Sequence, residues 1–217
     1  MCIRDRLHAE SAFTSASRGT PVFEQRSTPG EVEMTEMKLV LLDRDGVINE
    51  ESNGYVQSVD DWVPIDGSVD AIARLTQADY RIVVVTNQSG IARGLLTIED
   101  LQAIHRKMHE TVAASGGKID AVFMCPHKPD DDCSCRKPRP GLLNSVMDRL
   151  DTDLVGVPLV GDSLRDVQLA MVVGANPVLV RTGHGAQTLE QNRHLDKVQV
   201  FDDLAGFVDE LLGVGRD

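Results

Sequence analysis

This sequence predicts an α/β protein built on a Rossmann-like, doubly wound parallel sheet, and three observations carry that prediction. From Lys38 onward, short apolar runs alternate with helix-period segments, the pattern of a mostly parallel sheet with helices on both faces. The apolar runs are near-continuous in Val, Leu and Ile, which marks strands covered on both sides. Acidic, amide and hydroxyl residues recur where those runs stop, as expected of a sheet that binds ligands outside the carboxyl ends of its strands.

The elements follow in order. KLVLL (38–42) opens as a strand. GSVDAIARLTQAD (67–79) is a helix with Val69, Ile72, Ala73 and Leu75 inward. RIVVVT (81–86) is the second strand. TIEDLQAIHRKMHETVAASGG (97–117) is a longer helix, with Thr97 as N-cap and Gly116 at its end. IDAVFMC (119–125) is the third strand, and Pro140 opens the helix PGLLNSVMDRL (140–150). VPLVGD (157–162), SLRDVQLAMVVG (163–174) and PVLVR (177–181) read as strand, helix and strand. VQVFDD (198–203) and LAGFVDELL (204–212) close the series.

The chain has 217 residues, enough for one such domain over 37–217 and short for two. Residues 1–36 are rich in Ser, Thr, Pro, Gly and charge without a sustained period, so a disordered tail or an upstream extension of the reading frame is expected there, with the natural start at Met34 or Met37. No apolar run is long enough for a bilayer. A net charge of -12 repels nucleic acid and anionic membranes, so neither is an expected partner. An anionic substrate would then require positive charge gathered locally.

Asp43 and Asp45 end the first strand in VLLDRDGV. One Asp after a strand is most simply a turn or cap residue. Two are harder to explain so, because their repulsion must be offset by a cation or a held proton. Asp162, at a neighbouring strand end, supplies a third carboxylate, and such an oxygen cluster suits Mg²⁺ beside a phosphate.

DRDGV (43–47), VVVTNQSG (83–90), RKPRPG (136–141) and VGDSLRD (160–166) resemble, in order and spacing, the four motifs of the haloacid dehalogenase superfamily of phosphatases. The resemblance implies Asp43 as the nucleophile that carries a transient aspartyl-phosphate. It implies Asp45 as the acid that protonates the leaving alcohol and then activates water. Mg²⁺ would be held by Asp43, the main-chain carbonyl of Asp45 and Asp162. Thr86 and Lys137 would hold the phosphoryl oxygens, with Asp166 orienting Lys137 or the waters on Mg²⁺. Asp45 points to phosphate chemistry rather than dehalogenation, which has no alcohol to protonate.

CPHKPDDDCSC places Cys125, His127, Cys133 and Cys135 within eleven residues. These could close a tetrahedral structural Zn²⁺ site, against the plainer reading of a disulfide with a bystander His. Disulfides are not expected of an intracellular enzyme, and a zinc loop of this pattern marks one branch of the superfamily. The zinc loop would fix Arg136 and Lys137 directly after it, in a basic group with Arg44, Arg93 and Arg139.

That branch holds histidinol-phosphate phosphatases and heptose-bisphosphate phosphatases. INEESNGYVQ (48–57), TNQSGIARG (86–94) and CRKPRPG (135–141) are similar to the substrate loops of the heptose enzymes. This likeness implies removal of the 7-phosphate of D-glycero-D-manno-heptose 1,7-bisphosphate, in nucleotide-activated heptose biosynthesis, with histidinol phosphate as the alternative substrate. Arg44, Ser52, Asn53, Gly54, Tyr55, Asn87, Gln88 and Ser89 would line the sugar, and Arg136 would grip the retained phosphate. An inactive zinc-bearing binding module is the reading from another class, and the intact acidic and lysine positions argue against it. The roughly twenty residues between Asp45 and Gly67 are too few for a lid domain, so a capless fold is expected. Trp62 is expected to pack its loop onto the core. His105 and His109, one helical turn apart, are expected on a solvated face. A cytoplasmic monomer acting on a small sugar phosphate completes the expectation.

Overall fold

The structure, a computed structural model, describes residues 37–51, 54–192, 195 and 198–214. The expected tail (1–36), Ser52 and Asn53 lie outside the described residues. Six strands, β1 (Leu39–Leu42), β2 (Arg81–Asn87), β3 (Ala121–Cys125), β4 (Pro158–Gly161), β5 (Asn176–Val180) and β6 (Gln199–Phe201), form one sheet in the order β3-β2-β1-β4-β5-β6. Every neighbouring pair is parallel. The helices are α1 (Ser68–Gln77), α2 (Ile98–Ala114), α3 (Gly141–Leu150), α4 (Leu164–Val173), α5 (Gly185–Gln191) and α6 (Leu204–Leu212). The strand order reverses direction at β1 and β4, and a crevice opens at such a switch point.

Alternation along the strands divides the core. Val40, Leu42, Ile82 and Val84 pack on one face with residues of α1, α2 and α6. Leu39, Leu41, Val83 and Val85 pack on the other with residues of α3 and α4. Period-2 geometry makes this split, and burial on both faces explains why the strands read as unbroken apolar runs.

The helix ends follow local chemistry. Thr97 caps α2 through a reciprocal box with Asp100, whose carboxylate also accepts from the Thr97 N–H, as the sequence predicts. The sequence predicts no element between 181 and 198, and α5 forms there although the glycines flanking His184 favour a turn. Between Leu42 and Ser68 the described residues form turns and two isolated bridges, Asp45 with Asn49 and Asn49 with Pro64, but no helix or strand. Trp62 is fully buried in this segment. Lys107 of α2 lies over its ring and donates to the carbonyls of Val59 and Trp62 at 2.8 and 2.9 Å, so Trp62 packs its loop down as expected.

Candidate active site

The carboxyl ends of β1, β2 and β4 border a cleft of about 260 Å³ that receives Asp43, Asp45, Thr86, Lys137 and Asp162. The Lys137 ammonium is buried between two carboxylates, 2.7 Å from Asp43 Oδ2 and 2.6 Å from Asp166 Oδ1, and donates to the Val85 carbonyl at 3.0 Å. Its main chain is held as well: Asn87 accepts from the Lys137 N–H at 3.1 Å and donates to its carbonyl at 3.3 Å. Burial alone would lower Lys137, but Asp166 and Asp43 outweigh it and push it up to about 12. Burial pushes Asp43 up to about 6, with Asp166 and Asp45 adding to the rise and Lys137 opposing it. Asp162 rises to about 8, through burial and then the charges of Asp43 and Asp166.

Oxygens of Asp43, Asp162 and Asp166 lie within 4.8 Å of one another. Around an octahedral Mg²⁺ with bonds near 2.1 Å, oxygens sit about 3 Å apart when adjacent and about 4 Å when opposite, so the group is of the right size. Its charge also fits: one lysine cannot neutralise three buried carboxylates, and the raised values of Asp43 and Asp162 express that deficit. The carboxylate of Asp45 is not part of this cluster.

Asp45 is gripped from the other side. Its Oδ1 accepts from Arg44 Nη2 at 2.8 Å and from Asn49 Nδ2 at 2.9 Å, and its Oδ2 accepts from Gln88 Nε2 at 2.8 Å. Burial raises the Asp45 carboxyl, but Arg44 and the hydrogen bonds of Asn49, Arg44 and Gln88 more than offset it, so it lies below the ordinary value. Arg44 corrects the sequence expectation: its side chain is completely buried against Asp45 and does not line the cleft. Within the expected basic group, only Arg136 and Lys137 reach the cleft wall. Arg93 does not, and Arg139 pairs with Asp132 in a neighbouring depression. His105 also departs from expectation. It is half-buried with its Nε2 3.3 Å from Arg44 Nη1, while His109 is exposed.

The Cys/His group is assembled beside the cleft. Cys125 Sγ lies 3.7 Å from Cys133 Sγ and 3.4 Å from Cys135 Sγ, while His127 Nδ1 is 3.3 Å from Cys135 Sγ and 3.6 Å from Cys125 Sγ. No disulfide joins these three cysteines, since the separations exceed an S–S bond of about 2.05 Å. They approach the edge of a zinc–thiolate tetrahedron, about 3.8 Å for bonds of 2.3 Å. The donor set therefore fits Zn²⁺. Arg136 Nη1 donates to the His127 carbonyl at 3.0 Å, which ties this loop to the cleft.

Two family models match the chain: one described as HAD-hydrolase-like, over residues 134–207, and one as polynucleotide kinase 3 phosphatase, over residues 38–164. The D-glycero-beta-D-manno-heptose-1,7-bisphosphate 7-phosphatase of Bordetella bronchiseptica is 54% identical over 176 residues, 81% of this chain and 98% of that protein. The chain belongs to the heptose-bisphosphate phosphatase family of the haloacid dehalogenase superfamily. The Pseudomonas putida protein of the same name is 48% identical across 81% of this chain and all of its own length. The crystal structure of the Bordetella bronchiseptica phosphatase, complexed with magnesium and phosphate, matches with a TM-score of 0.79, covering 82% of this chain and 99% of its own.

Within this phosphatase fold, Gly54, Tyr55, Asn87, Gln88, Ser89 and Arg136 border the cleft as the sequence predicts, and Tyr55 Oη lies 3.4 Å from Ser89 Oγ. The site-residue set drawn from the motifs leaves out five residues that the structure adds: Glu51, Val56, Ser163, Arg165 and His184. Glu51 and His184 Nε2 pair at 2.8 Å across the mouth, and the His184 N–H donates to Asp162 Oδ2 at 2.8 Å. Arg165 was legible as a cation two positions beyond Ser163 in VGDSLRD. The signal for His184 in the sequence is its place just after the fifth strand, at the carboxyl end of the sheet.

Proposed function

We propose that this protein is a Mg²⁺-dependent phosphatase that removes the 7-phosphate of D-glycero-β-D-manno-heptose 1,7-bisphosphate. The observation that carries the reading is the Asp43–Lys137–Asp166 ion-pair chain beside Asp162, in a chain about half identical to proteins named for that reaction. Histidinol phosphate is the weaker substrate on this reading, since those relatives all carry the heptose-bisphosphate name. A Mg²⁺ held by Asp43, Asp162 and the Asp45 carbonyl would supply charge neutralisation for the phosphoryl group.

Asp43 attacks phosphorus through the oxygen not held by Lys137, forming an acyl phosphate as the P–O bond to C7 breaks. Lys137 and Thr86 hold equatorial phosphoryl oxygens while charge moves to the leaving oxygen. The leaving alkoxide takes a proton from Asp45, whose affinity for that proton rises when the dianionic substrate arrives beside it. The ionised Asp45 then removes a proton from the water that hydrolyses the acyl phosphate. Asp166 keeps Lys137 charged, and Asn87 fixes its main chain. Gly54, Tyr55 and Ser89 contact the sugar, and Gln88 orients Asp45. Arg136, with Arg165, receives the retained 1-phosphate, for which a planar guanidinium offers two parallel donors. Cys125, His127, Cys133 and Cys135 would hold a structural Zn²⁺, which would brace the loop that carries Arg136 and Lys137. On this reading the enzyme is a cytoplasmic monomer acting on a small sugar phosphate.

Phosphate release from both anomers of the heptose bisphosphate and from histidinol phosphate tests the reading. The β anomer is expected to give the greatest kcat/KM, and faster turnover of histidinol phosphate overturns the assignment.

A further inference from the structure

The Arg44 guanidinium is fully buried yet meets one carboxylate, that of Asp45. Its Nε and Nη2 donate to Asp45 Oδ1 at 3.1 and 2.8 Å, and Nη2 also reaches Asp45 Oδ2 at 3.0 Å and Gln88 Oε1 at 3.3 Å. Nη1 has one acceptor among the described residues, His105 Nε2 at 3.3 Å. Arginine has no acceptor atom, so His105 Nε2 must carry the lone pair and the ring must be neutral with its proton on Nδ1. The protein around it enforces that state: burial first, then the Arg44 charge, pull His105 down to about 3.

A buried guanidinium N–H without a partner is costly, and the whole planar group tilts when one corner is released. Here a tilt cannot stay local. The opposite edge of the same plane holds both oxygens of Asp45, and Asp45 Oδ2 is shared with Gln88, which in turn donates to Thr86 Oγ1 at 3.0 Å. His105 lies 61 positions along the chain from Arg44, on a helix that contributes no residue to the cleft wall. We infer that His105 is a positioning residue: by accepting from Arg44 it sets the angle at which Asp45 presents its carboxyl to the leaving oxygen.

This inference rests on the proposed phosphatase reaction and predicts a dependence on the leaving group. A sugar alkoxide needs the Asp45 proton as it departs, whereas p-nitrophenolate leaves without one. Because kcat/KM reports steps up to departure of the alcohol, the ratio of kcat/KM for heptose 1,7-bisphosphate to that for p-nitrophenyl phosphate isolates Asp45 from general damage to the fold. In the full-length, zinc- and magnesium-loaded enzyme, His105→Leu is expected to lower that ratio by about ten-fold, a part of the usual general-acid contribution. His105→Gln, which keeps an acceptor at similar reach, is expected to hold the ratio within about three-fold of the unmodified enzyme. His105→Asn, too short to reach Nη1, is the second loss-of-acceptor variant should the leucine protein fail to fold, and it is expected to lower the ratio likewise. A ratio unchanged in the loss-of-acceptor variant overturns the inference. So does a glutamine variant that falls as far as the leucine one. No turnover of either ester by the unmodified enzyme overturns the inference together with the phosphatase reading, and that outcome is distinct from turnover with substrate-independent losses.

Discussion

Replacing Gly46 with Ala tests how tightly the metal-binding carboxylates are built. Gly46 sits at φ 77°, and a Cβ there would lie 2.3 Å from Asp162 Oδ2. That oxygen has little room to withdraw. A Cβ on Gly183 would meet it at 2.3 Å from another side, and the His184 N–H holds it at 2.8 Å. Ordinary contact begins near 3.4 Å, so the Asp162 carboxylate must yield by about 1 Å, and a misplacement of that size in a catalytic group costs on the order of 10²-fold. The left-handed backbone adds about 1–2 kcal/mol of instability. Gly94→Ala is the control, since Gly94 also has a positive φ, 68°, but a Cβ there meets nothing within 4 Å. Urea unfolding should show similar backbone costs in the two variants, with Gly46→Ala somewhat the worse. Phosphate-release kinetics should show a kcat/KM loss of on the order of 10²-fold for Gly46→Ala alone. If Gly46→Ala stays within about three-fold of the unmodified enzyme, or Gly94→Ala loses as much, the reasoning fails.

Three further outcomes follow from the same geometry. Without Mg²⁺, the folded protein binds protons on Asp162 (about 8) and Asp43 (about 6) more tightly than an unfolded chain does. The stability from those protons is present at low pH and lost as pH rises through these values. Mg²⁺ must displace them, so its rise in melting temperature should be small at pH 5.5 and large at pH 8.5, and scanning calorimetry showing no such trend contradicts the charge accounting. Chelation of zinc should lower both the melting temperature and kcat/KM, because the loop that carries Cys135 continues directly into Arg136 and Lys137. Restoration by Zn²⁺ but not by Mg²⁺, with one zinc per chain by metal analysis, is the expected result. Arg165→Ala should raise KM for the heptose bisphosphate by about ten-fold, equivalent to 1.4 kcal/mol, and raise it less for a sugar monophosphate, as steady-state kinetics on the pair would show.

Much of the fold is legible in the sequence because both faces of the sheet are covered. The runs at 38–42 and 81–86 can then only be buried strands, and the residues after them can only lie at the crevice. Asp43, Thr86, Lys137 and Asp162 were placed by that logic together with the motif likeness. The Cys/His cluster was legible because its donors fall close together in sequence. The environment of Arg44 was not legible. Its partners Gln88 and His105 lie 44 and 61 positions away, and nothing local distinguishes a cation facing substrate from one turned inward onto Asp45. His105 misled because one-turn spacing from His109 resembles a polar face, whereas the helix buries one of the pair and exposes the other. The helix α5 was obscured by the glycines at its start. Glu51 was missed because it is an exposed-type charge whose place at the cleft mouth depends on how two loops meet, whereas Arg165 stood in a motif already read and only its charge went unused.

The central claim is that Asp43 takes up the phosphoryl group. The most direct measurement is mass spectrometry of rapidly quenched Asp45→Asn enzyme, in which hydrolysis of the acyl phosphate is slowed, after mixing with Mg²⁺ and p-nitrophenyl phosphate, whose leaving group departs without the Asp45 proton. The account predicts a single hydroxylamine-labile phosphate on the peptide bearing Asp43, absent from the Asp43→Asn protein. Phosphate on a different residue, or undiminished turnover by Asp43→Asn, would contradict it.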